Sequence, residues 1–150
     1  MSTRAIPAGF RTVTPHLVVK GAAQAIEFYK QAFGAEELSR HEMGGAIMNA
    51  SLRIGDSVVM LNDEFPSTAS GPSKERPSPV TIHLYVEDVD ALYARAQAAG
   101  AEVVMPLENA FWGDRYAILR DPHAHSWSIG THVEDVAPDQ LAERAKQAFA

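Results

Sequence analysis

The side chains best suited to chemistry are concentrated in residues 111–132, FWGDRYAILRDPHAHSWSIGTH. This stretch holds both Trp residues, several His and the adjacent pair Asp114–Arg115. Indole rings stack on flat or cationic groups, and imidazole binds metals or exchanges protons near neutral pH. Two more His, His16 and His83, stand in similar contexts, HLVV and HLYV. These residues are the first candidates for a ligand, metal or proton-transfer site.

Other kinds of catalytic site have no support in the sequence. The chain has no Cys, so it offers no disulfide, no thiolate nucleophile and no thiolate metal ligand. It contains no G-x-S-x-G, P-loop, G-x-G-x-x-G or H-E-x-x-H motif. Ser and His are both present, but no spacing identifies a catalytic triad, which is defined by geometry rather than by order.

Composition indicates an ordinary soluble protein of 150 residues with a formal net charge of −6. Lys and Arg are scattered singly, so no nucleic-acid partner is expected. No apolar run approaches the length of a membrane span, and the N-terminus lacks the apolar core of a secretion signal. We therefore expect a cytoplasmic protein without membrane contact.

The first half of the chain predicts the element order βαβββ. Ile26, Tyr29 and Phe33 recur at helical spacing, and Gly34 provides a stop. Extended segments surround this helix and are separated by the turn signals Gly44–Gly45 and Gly55–Asp56. The predicted elements are a strand at about 14–20, a helix at 22–33 and strands at about 36–43, 46–54 and 57–61.

The second half repeats the first. Residues 83–104, HLYVEDVDALYARAQAAGAEVV, align with residues 16–38, HLVVKGAAQAIEFYKQAFGAEEL. Asp88 is the expected N-cap of a helix at Val89–Ala99, and Gly100 ends it. The duplication predicts an α+β fold of two βαβββ modules, at about residues 12–62 and 80–132, within a single domain.

Two further segments complete the chain. Residues 63–79, DEFPSTASGPSKERPSP, are rich in Pro and Ser and predict a linker, either a crossover or a mobile flap. A last helix is predicted at Pro138–Phe149, with Leu141, Ala145 and Phe149 as its apolar stripe.

Several motifs resemble the vicinal oxygen chelate superfamily, the group of glyoxalase I, bleomycin-resistance proteins and extradiol dioxygenases. They are F-Y-x-x-A-F-G-A, L-x-V-x-D-V-D-A, W-G-D-R-Y and D-P-x-x-H-x-W, and the similarity covers about residues 14–136. The chain is most similar to the PhnB-like branch. The resemblance implies U-shaped sheets with helices on the convex side, ligands in a concave trough, and a homodimer.

Strand alternation assigns each side chain to the core or to this trough. Leu17 and Val19 are predicted to face the helix, which turns His16 toward the trough. The same reasoning places Trp127 and His125 on the core side. The residues expected to line the trough and bind the ligand are His16, Asn49, Met60, His83, Tyr85, Trp112, Asp114, Tyr116 and Ser128.

The resemblance also bears on metal binding. Metal-dependent members hold a divalent ion with His or Glu at four places, which correspond here to Thr14, Met60, Thr81 and Ser128. None of these side chains is a good ligand for such an ion, so no cofactor is expected. The alternative is a shifted divalent-metal site that uses His16 and His83.

Several residues near the hairpin carry two interpretations. Trp112 is the candidate for stacking on a ligand, although packing is an equal alternative. Asp114 and Arg115 are read as an internal ion pair or as a ligand contact, with a structural role favoured for Arg115. His125 is expected to be a buried structural residue. Ala124 stands where the family has Gly, which predicts a reshaped turn.

Two functions remain open at this stage. One is a metal-free protein that binds a small organic or antibiotic-like ligand in the trough. The other is a lyase, isomerase or dioxygenase that uses the shifted metal site or His-based proton transfer. The sequence favours the binding protein and leaves enzymatic activity undecided.

Overall fold

The computed structural model describes residues 2–150, which divide into two compact units, one up to Ser78 and one from Pro79 to Ala150. Each unit contains one βαβββ module, so the predicted α+β fold is confirmed. No helix within the described residues is both long and apolar enough to cross a membrane.

The first unit is a four-stranded mixed sheet covered by one helix. The sheet order is β1-β4-β3-β2, with β1 and β4 parallel and the other pairs antiparallel. Its elements are β1 (His16–Val19), α1 (Ala22–Phe33), β2 (Glu36–Met43), β3 (Ala46–Ile54) and β4 (Ser57–Asp63).

The core of the first unit lies between α1 and the sheet. Ile26 and Tyr29 on α1 are almost completely buried, as are Leu52 and Leu61 on the strands beneath them. Each such side chain stabilises the fold by about 1.5–3 kcal/mol relative to exposure. The alternation predicted for these strands is therefore confirmed.

Strand β4 is longer than predicted, and this changes the role of Asp63. The strand continues to Asp63 because Val19 of β1 pairs with that residue. The Asp63 carboxylate accepts hydrogen bonds from the backbone of Gly21 and Ala22, at the start of α1, at 3.2 and 2.7 Å. It also accepts one from Ile47 N at 2.8 Å. Asp63 thus ends the sheet and satisfies the helix N-terminus rather than opening a linker.

Residues 64–71 of the predicted linker pack within the first unit. Phe65 and Ala69 form an isolated bridge, and Gly71 donates its N–H to Glu64 at 3.0 Å. A Cβ on Gly71 would lie 2.4 Å from the carbonyl oxygen of Val18, so this position requires the absence of a side chain. The segment is therefore anchored beside β1.

The second unit repeats the architecture, with sheet order β5-β8-β7-β6. Helix α2 begins as predicted, because Asp88 Oδ1 accepts a hydrogen bond from Ala91 N at 3.1 Å, and Gly100 ends it with a positive φ. The elements are β5 (Thr81–Tyr85), α2 (Val89–Ala99), β6 (Glu102–Asn109), β7 (Asp114–Arg120), β8 (Ser126–His132) and α3 (Pro138–Ala148).

Helix α3 buries none of its residues completely. The predicted apolar stripe is only partly covered, because Leu141 and Ala145 are half-buried and Phe149 is exposed. The Phe149 ring meets the Phe111 ring edge-on, with ring centroids 5.7 Å apart. An ion pair between Arg144 and Glu134, at 2.6 Å, ties the helix to the segment after β8.

Candidate ligand-binding site

The β7–β8 hairpin is positioned by Asp121. This carboxylate is 4% exposed and accepts backbone N–H bonds from His123 and His125 at 2.8 and 3.1 Å. Its second oxygen accepts the indole N–H of Trp127 at 2.8 Å. Trp127 and His125 are both buried, as predicted. The turn therefore holds the two strands in one register.

Ala124 completes this turn in the left-handed conformation, with φ of 68°. The structure therefore keeps the backbone geometry that suits Gly, and the predicted reshaping of the turn is wrong. Ala124 is buried, and its N–H bonds the carbonyl of Asp121 at 3.1 Å.

The register brings Asp114 opposite His132 at the open end of the hairpin. The parallel pairing of β5 with β8 places His83 beside Ser128 and Tyr85 beside Gly130. Because Gly130 has no side chain, the His83 ring lies close to its backbone: a Cβ there would be 3.4 Å from His83 Cε1.

The centre of this arrangement is the Asp114 carboxylate, which is 3% exposed. Its Oδ2 accepts hydrogen bonds from the Tyr85 hydroxyl at 2.7 Å and from the Trp112 indole N–H at 2.9 Å. Its Oδ1 lies 2.8 Å from Nδ1 of His132. One buried carboxylate thus orients three rings from three segments of the chain.

Aromatic contacts extend the cluster. Trp112 meets Tyr116 edge-on with ring centroids 5.0 Å apart, and His83 meets Tyr85 in the same way at 4.3 Å. His83 also stacks on Tyr116 at 5.9 Å. We call His83, Tyr85, Trp112, Asp114, Tyr116 and His132 the aromatic–acidic cluster.

Burial and hydrogen bonding set the charges of the cluster. Burial raises the pKa of Asp114, but bonds from His132, Tyr85 and Trp112 outweigh it, so the net pKa lies below the ordinary value. The hydrogen bond to Asp114 raises the pKa of Tyr85, which therefore remains a neutral phenol at pH 7. Burial lowers the pKa of His83, with the charge of Asp114 opposing that effect. The lowered pKa favours the neutral imidazole of His83 at pH 7.

The hydrogen bonding of His83 leaves one nitrogen open. Its Nδ1 lies 2.7 Å from the Ser128 hydroxyl, whereas its Nε2 makes no hydrogen bond with any of residues 2–150. A neutral ring with a free nitrogen can accept or donate one hydrogen bond to a ligand.

Both ring nitrogens of His132 form hydrogen bonds with carboxylates. Nδ1 faces Asp114, and Nε2 lies 2.7 Å from Asp135 Oδ1. Bonds to Asp135 and then to Asp114 raise its pKa above the ordinary value. Both nitrogens donate only in the imidazolium form, which this pair of carboxylates stabilises.

An open pocket of about 700 Å³ adjoins the cluster. It is lined by Tyr85, Val86, Glu87, Thr131 and His132. Tyr85 is 64% exposed, so part of its side chain is accessible to a ligand.

The candidate residues of the first unit form a smaller arrangement. His16 pairs with Met60 in the sheet, as His83 pairs with Ser128 in the second unit. His16 Nε2 hydrogen-bonds Asn62 Oδ1, and Asn62 is buried. Asn49 is half-buried and pairs with His41 on β2. The structure thus confirms that His16 and His83 occupy equivalent places in the two modules.

Comparison with known proteins identifies the family. The model of the Glyoxalase/Bleomycin resistance protein/Dioxygenase superfamily matches residues 10–129. The chain belongs to this superfamily. An uncharacterized protein of Mycobacterium bovis, Mb0911c, is 48% identical over 134 residues, which cover 86% of this chain and 88% of the relative.

Solved structures share the superfamily fold. TioX from Micromonospora sp. ML1 is 29% identical with a TM-score of 0.67, and the match covers 82% of this chain and 99% of TioX. The fosfomycin resistance protein FosX of Listeria monocytogenes, complexed with Mn(II) and sulfate, is 17% identical with a TM-score of 0.62. That match covers 90% of this chain and 97% of FosX, and it shows the fold alone.

The residues at the four metal positions of the superfamily do not fit a divalent ion. Thr14 precedes β1 and donates its hydroxyl to the Arg11 carbonyl at 3.3 Å. The other positions supply two hydroxyls and a thioether, at Thr81, Ser128 and Met60, and neither group is a strong ligand for a hard or borderline cation. Within residues 2–150, no three His, Asp or Glu side chains are grouped as metal ligands.

One of the two interpretations of Asp114 and Arg115, an ion pair between them, is wrong. Arg115 does not pair with Asp114 but binds the Asp90 carboxylate of α2, with Nε–Oδ2 and Nη2–Oδ1 distances both of 2.9 Å. Adjacent residues on a strand point to opposite faces, so Asp114 and Arg115 diverge. The structural role favoured for Arg115 is consistent with this ion pair.

Two polar residues of the site were missed from the sequence. His132 and Asn62 were not among the candidate site residues, yet His132 bonds Asp114 and Asn62 bonds His16. The signal for His132 was present in the hairpin, because a turn centred on His123 places residues 114 and 132 opposite each other. Asn62 had no signal in the sequence.

Proposed function

We propose that the protein binds a small organic ligand without a metal ion, against the aromatic–acidic cluster of the second unit. The observation that carries this proposal is the buried Asp114 carboxylate, which orients the Trp112 indole and the Tyr85 phenol. Rings held in this way lose little conformational entropy on binding, which favours affinity for a flat ligand.

One polar group of the cluster would orient the ligand. The free Nε2 of His83 can accept or donate one hydrogen bond. The faces of Trp112 and Tyr116 supply apolar contact area, and pockets of this kind combine such area with a few fixed polar groups. His16, Asn49 and Met60 would line the corresponding face of the first unit.

The superfamily name suggests the class of compound. Bleomycin resistance is among the activities in that name, which supports an antibiotic-like ligand for this chain. From the resemblance in sequence we also propose a cytoplasmic homodimer of the PhnB-like branch. Light scattering coupled to size-exclusion chromatography tests the dimer.

Isothermal titration calorimetry against a panel of planar metabolites and antibiotics tests the binding function. For any compound that binds, Trp112→Ala should weaken the affinity about tenfold or more, because stacking area and ring order are lost together. Phe149→Ala is the matched control, since it removes an exposed ring outside the cluster. Absence of binding across the panel, or binding that survives Trp112→Ala, would contradict the proposal.

Metal analysis separates this proposal from a metalloenzyme with a shifted site. In the structure His16 is bonded to Asn62 and His83 to Ser128. We expect no stoichiometric Mn, Fe, Ni or Zn by elemental mass spectrometry after re-exposure to each metal. Bound metal that is lost in the His16→Ala variant and also in the His83→Ala variant would favour the metalloenzyme instead.

A further inference from the structure

We infer that the pocket beside the cluster selects ligands bearing an organic cation, with Glu87 as the anchoring carboxylate. The inference rests on the proposed binding function and specifies the charge of the ligand. The cationic group would lie between the Glu87 carboxylate and the exposed side chain of Tyr85, which both line the pocket.

The backbone around Glu87 is held in place from both sides. Val86 N donates to the carbonyl of Gly130 at 2.9 Å, and the Thr131 hydroxyl donates to the carbonyl of Val86 at 2.7 Å. The same hydroxyl accepts the N–H of Val89 at 3.0 Å. Glu87 therefore projects from a fixed segment at the ends of two parallel strands, which is a suitable base for a specific contact.

The Glu87 carboxylate is available to a ligand. It is exposed and forms no ion pair or hydrogen bond with any other residue in 2–150. The other pocket residues are uncharged apart from His132. A protonated amine or amidinium would supply the missing partner, and the Tyr85 ring would add a cation–π contact.

The surrounding charges oppose an anionic ligand. The two carboxylates bonded to His132, Asp114 and Asp135, outnumber the one positive charge that its ring can carry. Because both ring nitrogens are bonded to these carboxylates, His132 has no N–H left to offer an anion. With Glu87 included, the pocket has a net negative field, which attracts cations.

Three probes of nearly equal shape test the inference: benzamidine, benzamide and benzoate, which are cationic, neutral and anionic. Each is titrated into the full-length protein, and the affinity is taken from the amide shifts in ¹H–¹⁵N NMR spectra. Millimolar affinities suit fragments of this size. Benzamidine should bind about tenfold more tightly than benzamide, and benzoate should bind most weakly.

The variant Glu87→Gln should weaken benzamidine binding about three- to tenfold and leave benzamide unchanged. Glu143→Gln is the matched control, because it removes the same charge from an exposed position on α3 and should have no effect. The dispersion of the NMR spectrum shows directly that each variant is folded. Equal affinities for the three probes, or no response to Glu87→Gln, would overturn the inference.

A Trp112→Ala variant separates failure of this inference from failure of the proposed function. If all probes bind equally and Trp112→Ala abolishes binding, the aromatic site stands and the charge selection is wrong. If benzamidine depends on Glu87 but not on Trp112, the cation pocket stands and the aromatic site is wrong. If no probe shifts any amide, the cation pocket is wrong, and the calorimetric panel decides the aromatic site by itself.

Discussion

Replacing Asp114 with Asn should destabilise the second unit far more than its conservative shape suggests. The carboxylate is 3% exposed and accepts hydrogen bonds from Tyr85, Trp112 and His132. Asn keeps the size of the side chain but removes the charge and turns one acceptor atom into a donor. Two donors that share Oδ2 would then meet a weaker acceptor or a competing N–H group.

The magnitude follows from the change in acceptor. A hydrogen bond to a charged group contributes about 1.5–3 kcal/mol net, compared with about 0.5–1.5 kcal/mol for a neutral pair. The bonds from Tyr85 and Trp112 should each weaken by about 1 kcal/mol on this scale. The bond from His132 adds little, because that ring is half-exposed and its charge is screened by water. We therefore expect a loss of about 2 kcal/mol in the free energy of unfolding.

Urea unfolding followed by far-UV circular dichroism measures this loss. Tryptophan fluorescence is less suitable, because the substitution itself changes the surroundings of Trp112. With a urea dependence of about 1–3 kcal/mol per M, the unfolding midpoint of Asp114→Asn should fall by about 1 M.

Asp90→Asn is the matched control for this experiment. It removes the same charge from the same unit, but the ion pair of Asp90 with Arg115 is exposed, so the midpoint should move little. Equal shifts for the two variants would refute the reasoning.

The pKa of Asp114 is lowered in the folded protein, so its stabilising effect is present above the ordinary value of 3.8 and is lost as the pH falls through the lowered pKa. The difference between wild type and Asp114→Asn should therefore shrink below about pH 4.

Two further predictions concern the same hairpin. The pKa of His132 is raised in the folded state, so its contribution to stability is complete below pH 6.5 and is lost as the pH rises through the raised pKa. The wild type should therefore lose stability over that pH range, whereas His132→Gln should not. Urea unfolding of both proteins at a series of pH values tests this prediction. Ala124→Val should lower the free energy of unfolding by more than about 2 kcal/mol, because a β-branched side chain is strained at φ of 68° in a buried turn. Ala124→Gly should be at least as stable as the wild type. Thermal unfolding of both variants tests this prediction.

Local and periodic features of the fold were predicted well. Both module helices have the predicted bounds, Ala22–Phe33 and Val89–Ala99, because each combines an apolar face with a terminal Gly. The core positions of the central strands were also predicted, since alternation along a strand depends only on its own residues. Strand ends were less accurate: β1 was predicted at about 14–20 and spans His16–Val19, because it has a single neighbour and pairing defines its length.

The contacts of the polar residues were harder to predict. An ion pair of Arg115 with its sequence neighbour Asp114 was one of two interpretations, yet Arg115 pairs with Asp90, 25 residues earlier. Asp63 was read as the start of a linker, yet it bonds the N-terminus of α1, 41 residues away. Both contacts link segments that only the folded sheet and its helix bring together.

The sequence by itself determined the duplicated βαβββ architecture, the superfamily and the strand positions that face the core. Repeats, periodicity and short motifs are properties of neighbouring residues, so they can be read along the chain. Only the tertiary structure decided that Asp114 is buried beneath Tyr85, Trp112 and His132 and that Glu87 lines a pocket beside them. Strand register and long-range packing select these partners, and neither can be read from one segment of sequence.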